Sequence, residues 1–358
     1  MATAQDIKSA MRAKPEKVNP YRGMLSSGST LLNCACSGRP NGAFARGGFY
    51  LVVGDSTSGK TVLAGTCFAE AAINTKFDDY ELIFDNAEGG ALMFEKFFGE
   101  KISARIQAPR YDKEGNPVCS RTVEEFYYNL SDCLKADKPC VYVLDSENAL
   151  GSKAATDKFE EQKEAFEKGK DAAGSYGVEK ARIHSQNLPS VVALLQDTGS
   201  ILIVISQTRD NLGFGFEKKT RSGGKALKFY AMLEMWSSVK EHMKRTVKGT
   251  ARDIGIVAEV RIRKNRFTGK DRSVTIPIYH SVGFDDIGAC VDYLVQEKHW
   301  KVKDGEIYAE ELGGQGTREQ VVSQIEKQNK EQDIRALVGE VWAEIEAACE
   351  VHRKSRYQ

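Results

Sequence analysis

The stretch Gly54-Asp55-Ser56-Thr57-Ser58-Gly59-Lys60-Thr61 matches the pattern G-x-x-x-x-G-K-[ST]. A tight glycine loop turns successive backbone N–H groups inward onto an anion, and a helix starting at its end adds partial positive charge. In such a loop Lys60 reaches the outer phosphates of a nucleotide and the Thr61 hydroxyl takes a position on Mg²⁺. Three further polar residues stand at the ends of apolar runs. Asp145 follows Val141-Tyr142-Val143-Leu144 and is a candidate to hold Mg²⁺ through a water or to hydrogen-bond to its shell. Glu88, just beyond Tyr80-Glu81-Leu82-Ile83-Phe84-Asp85, is a candidate general base for an attacking water. Gln207 ends Ser200-Ile201-Leu202-Ile203-Val204-Ile205-Ser206 and could sense a terminal phosphate.

The flanking elements suit those roles. Gly48 to Val53 reads as a buried strand and Val62 to Ala72 as a helix, the strand–loop–helix order a phosphate cradle needs. The runs 80–85, 139–146 and 200–207 are continuously apolar, as parallel strands covered on both faces are. Thr122 to Leu134 and Asn187 to Leu195 read as helices between them. Strand alternating with helix predicts an α/β fold with a doubly wound, mostly parallel sheet, whose ligands bind beyond the strands' carboxyl ends.

Thr208 to Gly224 reads as a long glycine-bearing loop. From Arg209 to Lys228 the chain has six cations against two acids, with Phe214 and Phe216 interleaved. That mixture suits a strand-tracking, base-stacking contact with single-stranded nucleic acid, and a solvated loop is the even alternative. Residues 151–180 are highly charged and read as a mobile loop or an exposed helix. The alternation across 256–263 is a half-exposed strand, and 274–279 is a plausible partner through the Thr268–Asp271 turn. From about Asp285 a small α-rich module is expected, ending in a helix striped by Ile334, Leu337, Val338, Val341, Trp342 and Ile345. Near the start, Ile7, Ala10 and Met11 make a short helical stripe that must dock on its own core or a neighbouring subunit.

The 358 residues carry a net charge of +1, so any nucleic-acid surface must be local. The eight scattered cysteines form no zinc-ligand pattern and read as reduced thiols. No run approaches membrane-spanning length, and a cytoplasmic protein is the expectation.

Several of these segments carry a resemblance. Val141-Tyr142-Val143-Leu144-Asp145-Ser146, Ile205-Ser206-Gln207-Thr208-Arg209, Gly223-Gly224-Lys225-Ala226-Leu227-Lys228-Phe229-Tyr230-Ala231 and Val260-Arg261-Ile262-Arg263-Lys264-Asn265-Arg266 look like segments of bacterial RecA and phage RecA-like recombinases. They occur in family order from about residue 26 to about 315. The resemblance implies a RecA-like ATPase core over 26–284, an N-terminal segment over 1–25 as a protomer contact, and a C-terminal module over 285–358. It implies that Gly54 to Thr61 bind ATP and Mg²⁺, that Glu88 is catalytic with Lys60 and Gln207, and that Asp145 joins Thr61 at the metal. It implies that Gln207 couples ATP to DNA. It further implies a DNA-binding loop bearing Arg209, Phe214, Phe216, Lys218, Lys219, Arg221, Gly223, Gly224 and Lys225. Part of 151–177 sits where the family's first DNA loop lies, and Lys264 and Arg266 match two lysines that reach ATP on the next subunit of a filament.

There are departures. Asp85-Asn86-Ala87-Glu88 has one residue more between its acids than the family's D-A-E, which leaves Asp85 open as the alternative to Glu88. Arg266 replaces a lysine, and the C-terminus is basic rather than acidic. The resulting expectation is a filament-forming, DNA-dependent ATPase that binds single-stranded and double-stranded DNA and promotes strand exchange. A ring-forming relative and a P-loop kinase or ATP-switched scaffold are the alternatives.

Overall fold

The computed structural model describes residues 23–90, 94–167, 178–210, 219–221, 223–351 and 353. The N-terminal stripe of Ile7, Ala10 and Met11 lies outside them.

The central sheet is built as the apolar runs demand. Its parallel part holds β1 (Phe49–Gly54), β2 (Glu81–Asn86), β3 (Cys140–Asp145), β4 (Ile201–Asp210) and the first residues of β6 (Leu233–Val247). β1 lies between β4 and β6, β3 follows β4, and β2 follows β3, with the short strand Ile106–Gln107 at that edge. The other edge is antiparallel: β6 turns back into β7 (Thr250–Asn265), then come β8 (Ser273–Tyr279) and β9 (Gly283–Phe284). The strands alternate between two cores. Tyr50, Val52, Val141, Val143, Ile203 and Ile205 face one, and Leu51, Val53, Tyr142, Leu144, Leu202 and Val204 face the other. Both faces being covered explains why the runs lack polar gaps.

On the first face pack α1 (Thr30–Ser37), α2 (Lys60–Ile73) and the C-terminal region; on the second pack α3 (Val123–Lys135), α5 (Val178–Thr198) and α6 (Gly224–Tyr230). The charged stretch is helical where described: α4 (Lys153–Glu167) is a separate, largely exposed helix. The helix expected at 187–195 is the second half of α5, which tolerates Pro189 in its interior.

Two expectations need correction. The segment after Gln207 is not a plain loop: β4 runs on to Asp210, and β5 (Lys219–Arg221) pairs with it, Thr208 opposite Arg221 and Asp210 opposite Lys219. Backbone pairing between the two arms was invisible because glycines and charges dominated the pattern. The C-terminal module, expected to be α-rich with an α/β character, also contains strands that no periodicity marked. Between α7 (Asp286–Gln296) and the helices α8 (Arg318–Lys327) and α9 (Glu331–Ala348) stands a three-stranded antiparallel sheet, β10 (Lys301–Lys303), β11 (Glu306–Ala309) and β12 (Gly314–Gly316). Its strands of three or four residues are too short to register as periodicity. The helix α9 buries Ile334, Val338, Val341 and Trp342, and the region is tied to α1 by Asp286, which accepts from Thr30 N–H at 2.6 Å and from Arg335 Nε at 2.9 Å.

Candidate functional site

Parallel register brings the strand ends level. Gly54 of β1 is opposite Gln207 of β4 and Ser237 of β6, and Asn86 of β2 is opposite Asp145 of β3. The polar residues at those ends therefore converge outside one edge of the sheet, beside the strand β1 at which the connections change direction.

The loop from Gly54 to Thr61 owes its shape to close packing. A Cβ on Gly54 would stand 2.3 Å from the Ser237 carbonyl oxygen, and one on Gly59 would stand 2.4 Å from Ile278 Cδ1. Gly59 also has φ +82°, a conformation that costs glycine little. Ser58 Oγ donates to the Asp55 carbonyl at 2.9 Å and Ser237 Oγ to the Ser58 carbonyl at 2.6 Å, so β6 braces the loop from behind. Ser56 and Thr57 are exposed on its rim. Lys60 opens α2 and is 7% exposed, with Nζ 2.5 Å from the Asp55 carbonyl oxygen. Burial pushes its pKa down, while Asp145, Glu88 and Asp55 pull it back.

Asp145 is 4% exposed and accepts a hydrogen bond from Thr61. Burial pushes its carboxyl up to about 6; the Thr61 bond opposes this, Glu88 reinforces it and Lys60 opposes it. Glu88 Oε1 accepts from Gln207 Nε2 at 2.7 Å and from Ser146 Oγ at 2.5 Å. Lys60, Thr61, Asp145, Glu88 and Gln207 thus form one continuous cluster. Its carboxylates, the buried Asp145 and the exposed Glu88, outnumber its one ammonium and leave negative charge that a divalent cation would balance. The cradle without room for a Cβ and the hydroxyl–carboxylate donor pair fit ATP and Mg²⁺.

Asp85 faces the other way. It is fully buried on the second face and accepts from Ser120 N–H at 2.8 Å, Ser120 Oγ at 2.6 Å and Tyr142 OH at 2.7 Å. Burial raises its pKa against those bonds. Its surroundings are those of a structural carboxylate.

Lys264 and Arg266 are not in the cluster. Lys264 Nζ lies 2.5 Å and 2.7 Å from the carbonyl oxygens of Lys228 and Phe229, and Arg266 Nη2 lies 2.6 Å from the latter. Both cap the carboxyl end of α6, where a helix dipole favours cations. Of the residues expected on DNA, Phe214, Phe216 and Lys218 lie outside the described residues, and for Arg209, Lys219 and Arg221 only the backbone is described. Lys225 is exposed on the first turn of α6. Gly223 and Gly224 have a packing reason to be glycine: Cβ atoms there would stand 2.3 Å from Leu227 Cδ1 and 2.6 Å from Ala181 Cβ.

Sequence reasoning missed three groups. Ser146 orients Glu88. Asn148 Oδ1 accepts from Gln207 N–H at 2.7 Å and fixes the strand end. Thr208 Oγ1 donates to Asp55 Oδ1, joining the strand beyond Gln207 to the phosphate loop. The polar run Ser146-Glu147-Asn148 directly after Asp145 was a usable signal for the first two; the Thr208–Asp55 tie had none. A cavity of about 590 Å³ opens from Thr57–Val62 toward Phe97, His242, Asp253 and His280.

The comparisons agree with this geometry. Residues 141–285 match the RecA N-terminal domain, a span running from β3 through the β4–β5 hairpin to the antiparallel edge. The RecA protein of Enterococcus faecalis is 27% identical over 312 residues, 84% of this chain and 78% of its own length. That of Lactococcus lactis subsp. cremoris is 25% identical over 310 residues, 84% and 71% of the two chains. That of Deinococcus radiodurans is 29% identical over 162 residues, and the match spans only 44% of each. Along 84% of its length the chain is similar to RecA proteins, at 25–27% identity.

Proposed function

We propose that the protein is an ATP-dependent recombinase that binds single-stranded DNA, assembles into a helical filament on it and promotes pairing and exchange with double-stranded DNA. One observation carries this reading: β4 leaves the nucleotide cluster with Gln207 bonded to Glu88 and Thr208 bonded to Asp55, and continues unbroken to Asp210, paired over its last three residues with β5. A change felt at the outer phosphate therefore reaches the DNA segment along one rigid strand.

In this mechanism Gly54 to Thr61 and the start of α2 cradle the phosphates, and Lys60 neutralises charge developing on the γ-phosphate. Thr61 and Asp145 would hold Mg²⁺, which supplies charge neutralisation between phosphate oxygens. Glu88, held by Ser146, takes a proton from the attacking water. Gln207 exchanges its bond with Glu88 for one with the terminal phosphate, which shifts β4 and sets how the hairpin, with Lys225 beside it, grips a nucleic-acid backbone. Lys264 and Arg266 reach a neighbour's nucleotide across the filament joint, so that hydrolysis depends on assembly. The protein acts in the cytoplasm; among the described residues no helix is long and apolar enough to cross a membrane.

The test is ATP turnover with and without single-stranded DNA, alongside electron microscopy of the same sample. Stimulation with open helical filaments is expected; equal turnover and a monomer would refute the reading, and closed rings would move it to the ring-forming ATPases. The double change Arg221→Ala with Lys225→Ala should weaken DNA binding and flatten its salt dependence.

A further inference from the structure

The second core holds a cluster of charge that the site described above does not use. Glu147, the residue after Ser146, is fully buried. Lys180, in the first turn of α5, places its Nζ 3.0 Å from Glu147 Oε1 and 2.9 Å from the Glu147 carbonyl oxygen. His184, one turn further along α5 and also fully buried, has Nε2 3.4 Å from the same Oε1. Its Nδ1 lies 2.8 Å from the Tyr127 hydroxyl on α3. Burial and the Glu147 charge push the Tyr127 phenol up, so it keeps its proton and donates it to Nδ1. That leaves Nε2–H to face the carboxylate.

The surroundings are apolar, with Leu150, Ile183, Leu188 and Leu227 in the same core. Apolar side chains of similar volume in place of a buried ion pair are often as stable or more so, and stability alone does not account for these groups. Their placement gives a better reason. Glu147 stands between two residues that hold the nucleotide cluster: Ser146 donates to Glu88, and Asn148 accepts from Gln207. It also meets the ends of both stretches proposed above for DNA. Lys180 follows closely on 151–177. A Cβ on Gly223, where the segment after Gln207 returns to α6, would stand 3.1 Å from Glu147 Cδ. One on Gly224 would stand 2.6 Å from Cβ of Ala181, the neighbour of Lys180.

We propose that Glu147, held by Lys180 and His184, is a positioning residue for DNA-stimulated ATP hydrolysis, passing the position of α5 and of the Gly223-Gly224 turn to Glu88 and Gln207. The inference rests on the DNA-dependent reading above and adds a second path to it, beside β4. Lys180 grips both the main chain and the carboxylate of Glu147. A strand that displaces the first turn of α5 therefore moves the turn from Ser146 to Asn148 as a unit, and the hydrogen bonds on Glu88 and Gln207 reset together.

The test uses the full chain with Glu147→Met and Lys180→Met together. Both charges are removed and similar volume is restored, so the fold should persist. Glu147→Gln, which keeps the size and an acceptor but not the charge, is the graded variant. Three quantities are read: kcat and KM for ATP with and without oligo-dT, affinity for oligo-dT with and without a non-hydrolysable ATP analogue and Mg²⁺, and the urea midpoint. The ratio of stimulated to basal kcat should fall about tenfold in the double variant and about threefold in Glu147→Gln, and the gain in oligo-dT affinity on adding the analogue should fall in the same order. KM for ATP should stay within about twofold, because the phosphate cradle is a separate stretch of chain. A group that only fills the core would lower basal and stimulated kcat alike and leave both ratios as in wild type; that result overturns the proposal. Lost oligo-dT binding in the absence of nucleotide also overturns it, making Lys180 a contact to the strand. Should the double variant fail to fold, Glu147→Gln decides alone, and wild-type ratios in it overturn the proposal. Wild-type turnover indifferent to oligo-dT refutes the broader reading instead, whatever the variants do.

Discussion

Asp85 and Asp145 end neighbouring parallel strands, are both nearly inaccessible, and are both pushed toward the neutral form by burial. Their surroundings differ completely. Asp85 points to the α3–α5 face, where Ser120 and Tyr142 supply three neutral donors and satisfy it within the fold. Asp145 points to the phosphate loop, where it has the Thr61 hydroxyl, the Lys60 charge and a second carboxylate, Glu88, close by. One acid has all its hydrogen-bonding capacity used by the protein. The other carries an electrostatic debt that only an added cation relieves. A buried strand-end acid is marked as a candidate for function not by its burial but by being left incompletely neutralised.

That contrast can be broken experimentally. Lys60→Ala should abolish ATP turnover, a loss beyond about 10³-fold, because the cluster then has no cation of its own. Retained turnover would remove the loop from the chemistry. Glu88→Gln should cut turnover by about 10²–10³-fold while leaving nucleotide binding intact. If Asp85→Asn did this instead, the roles assigned to the two acids would have to be exchanged.

The stability effects should run in opposite directions. Asp85→Ala leaves three buried donors without an acceptor and should cost about 3 kcal/mol in denaturant unfolding, with turnover per folded molecule retained. Asp145→Asn should stabilise the metal-free protein at pH 7. Burial lifts the carboxyl from its ordinary value near 3.8 to about 6 on folding, which corresponds to at most about 3 kcal/mol. The sign follows from proton uptake. The native state binds this proton more tightly, so stability rises as pH falls from about 6 toward 4, and the penalty is present in full above pH 7. The Asn variant should lose that part of the pH dependence; an unaltered profile would mean that Asp145 is not destabilised in the absence of metal. The smallest effect is expected at Thr208→Val. Losing one hydrogen bond to a carboxylate, about 1.5 kcal/mol, should lower the ratio of DNA-stimulated to basal turnover by roughly tenfold or less. An unchanged ratio would leave Gln207 as the sole link between loop and hairpin.

Much of this was legible beforehand. The sheet strands appeared as continuous apolar runs because they are covered on both faces, and the phosphate loop appeared because its chemistry fixes residue types at fixed spacing. The hairpin after Gln207 was read as a loop because hydrogen bonds between backbones leave no trace in side-chain pattern. The three-stranded sheet near the C-terminus was missed because each strand is shorter than the period that would reveal it.

What the chain's order of residues determined by itself was chemistry: a loop whose pattern suits phosphates, two acids and an amide at strand ends, and cations in quantity beyond them. What only tertiary structure decided was partnership. Whether Asp85 or Glu88 faces the cradle depends on alternation across a sheet whose register spans more than a hundred residues. Whether Thr208 touches Asp55 depends on β1 and β4 being neighbours. Residue type sets what a group can do, but burial and the distance to the next charge set what it does, and both are properties of the packed chain.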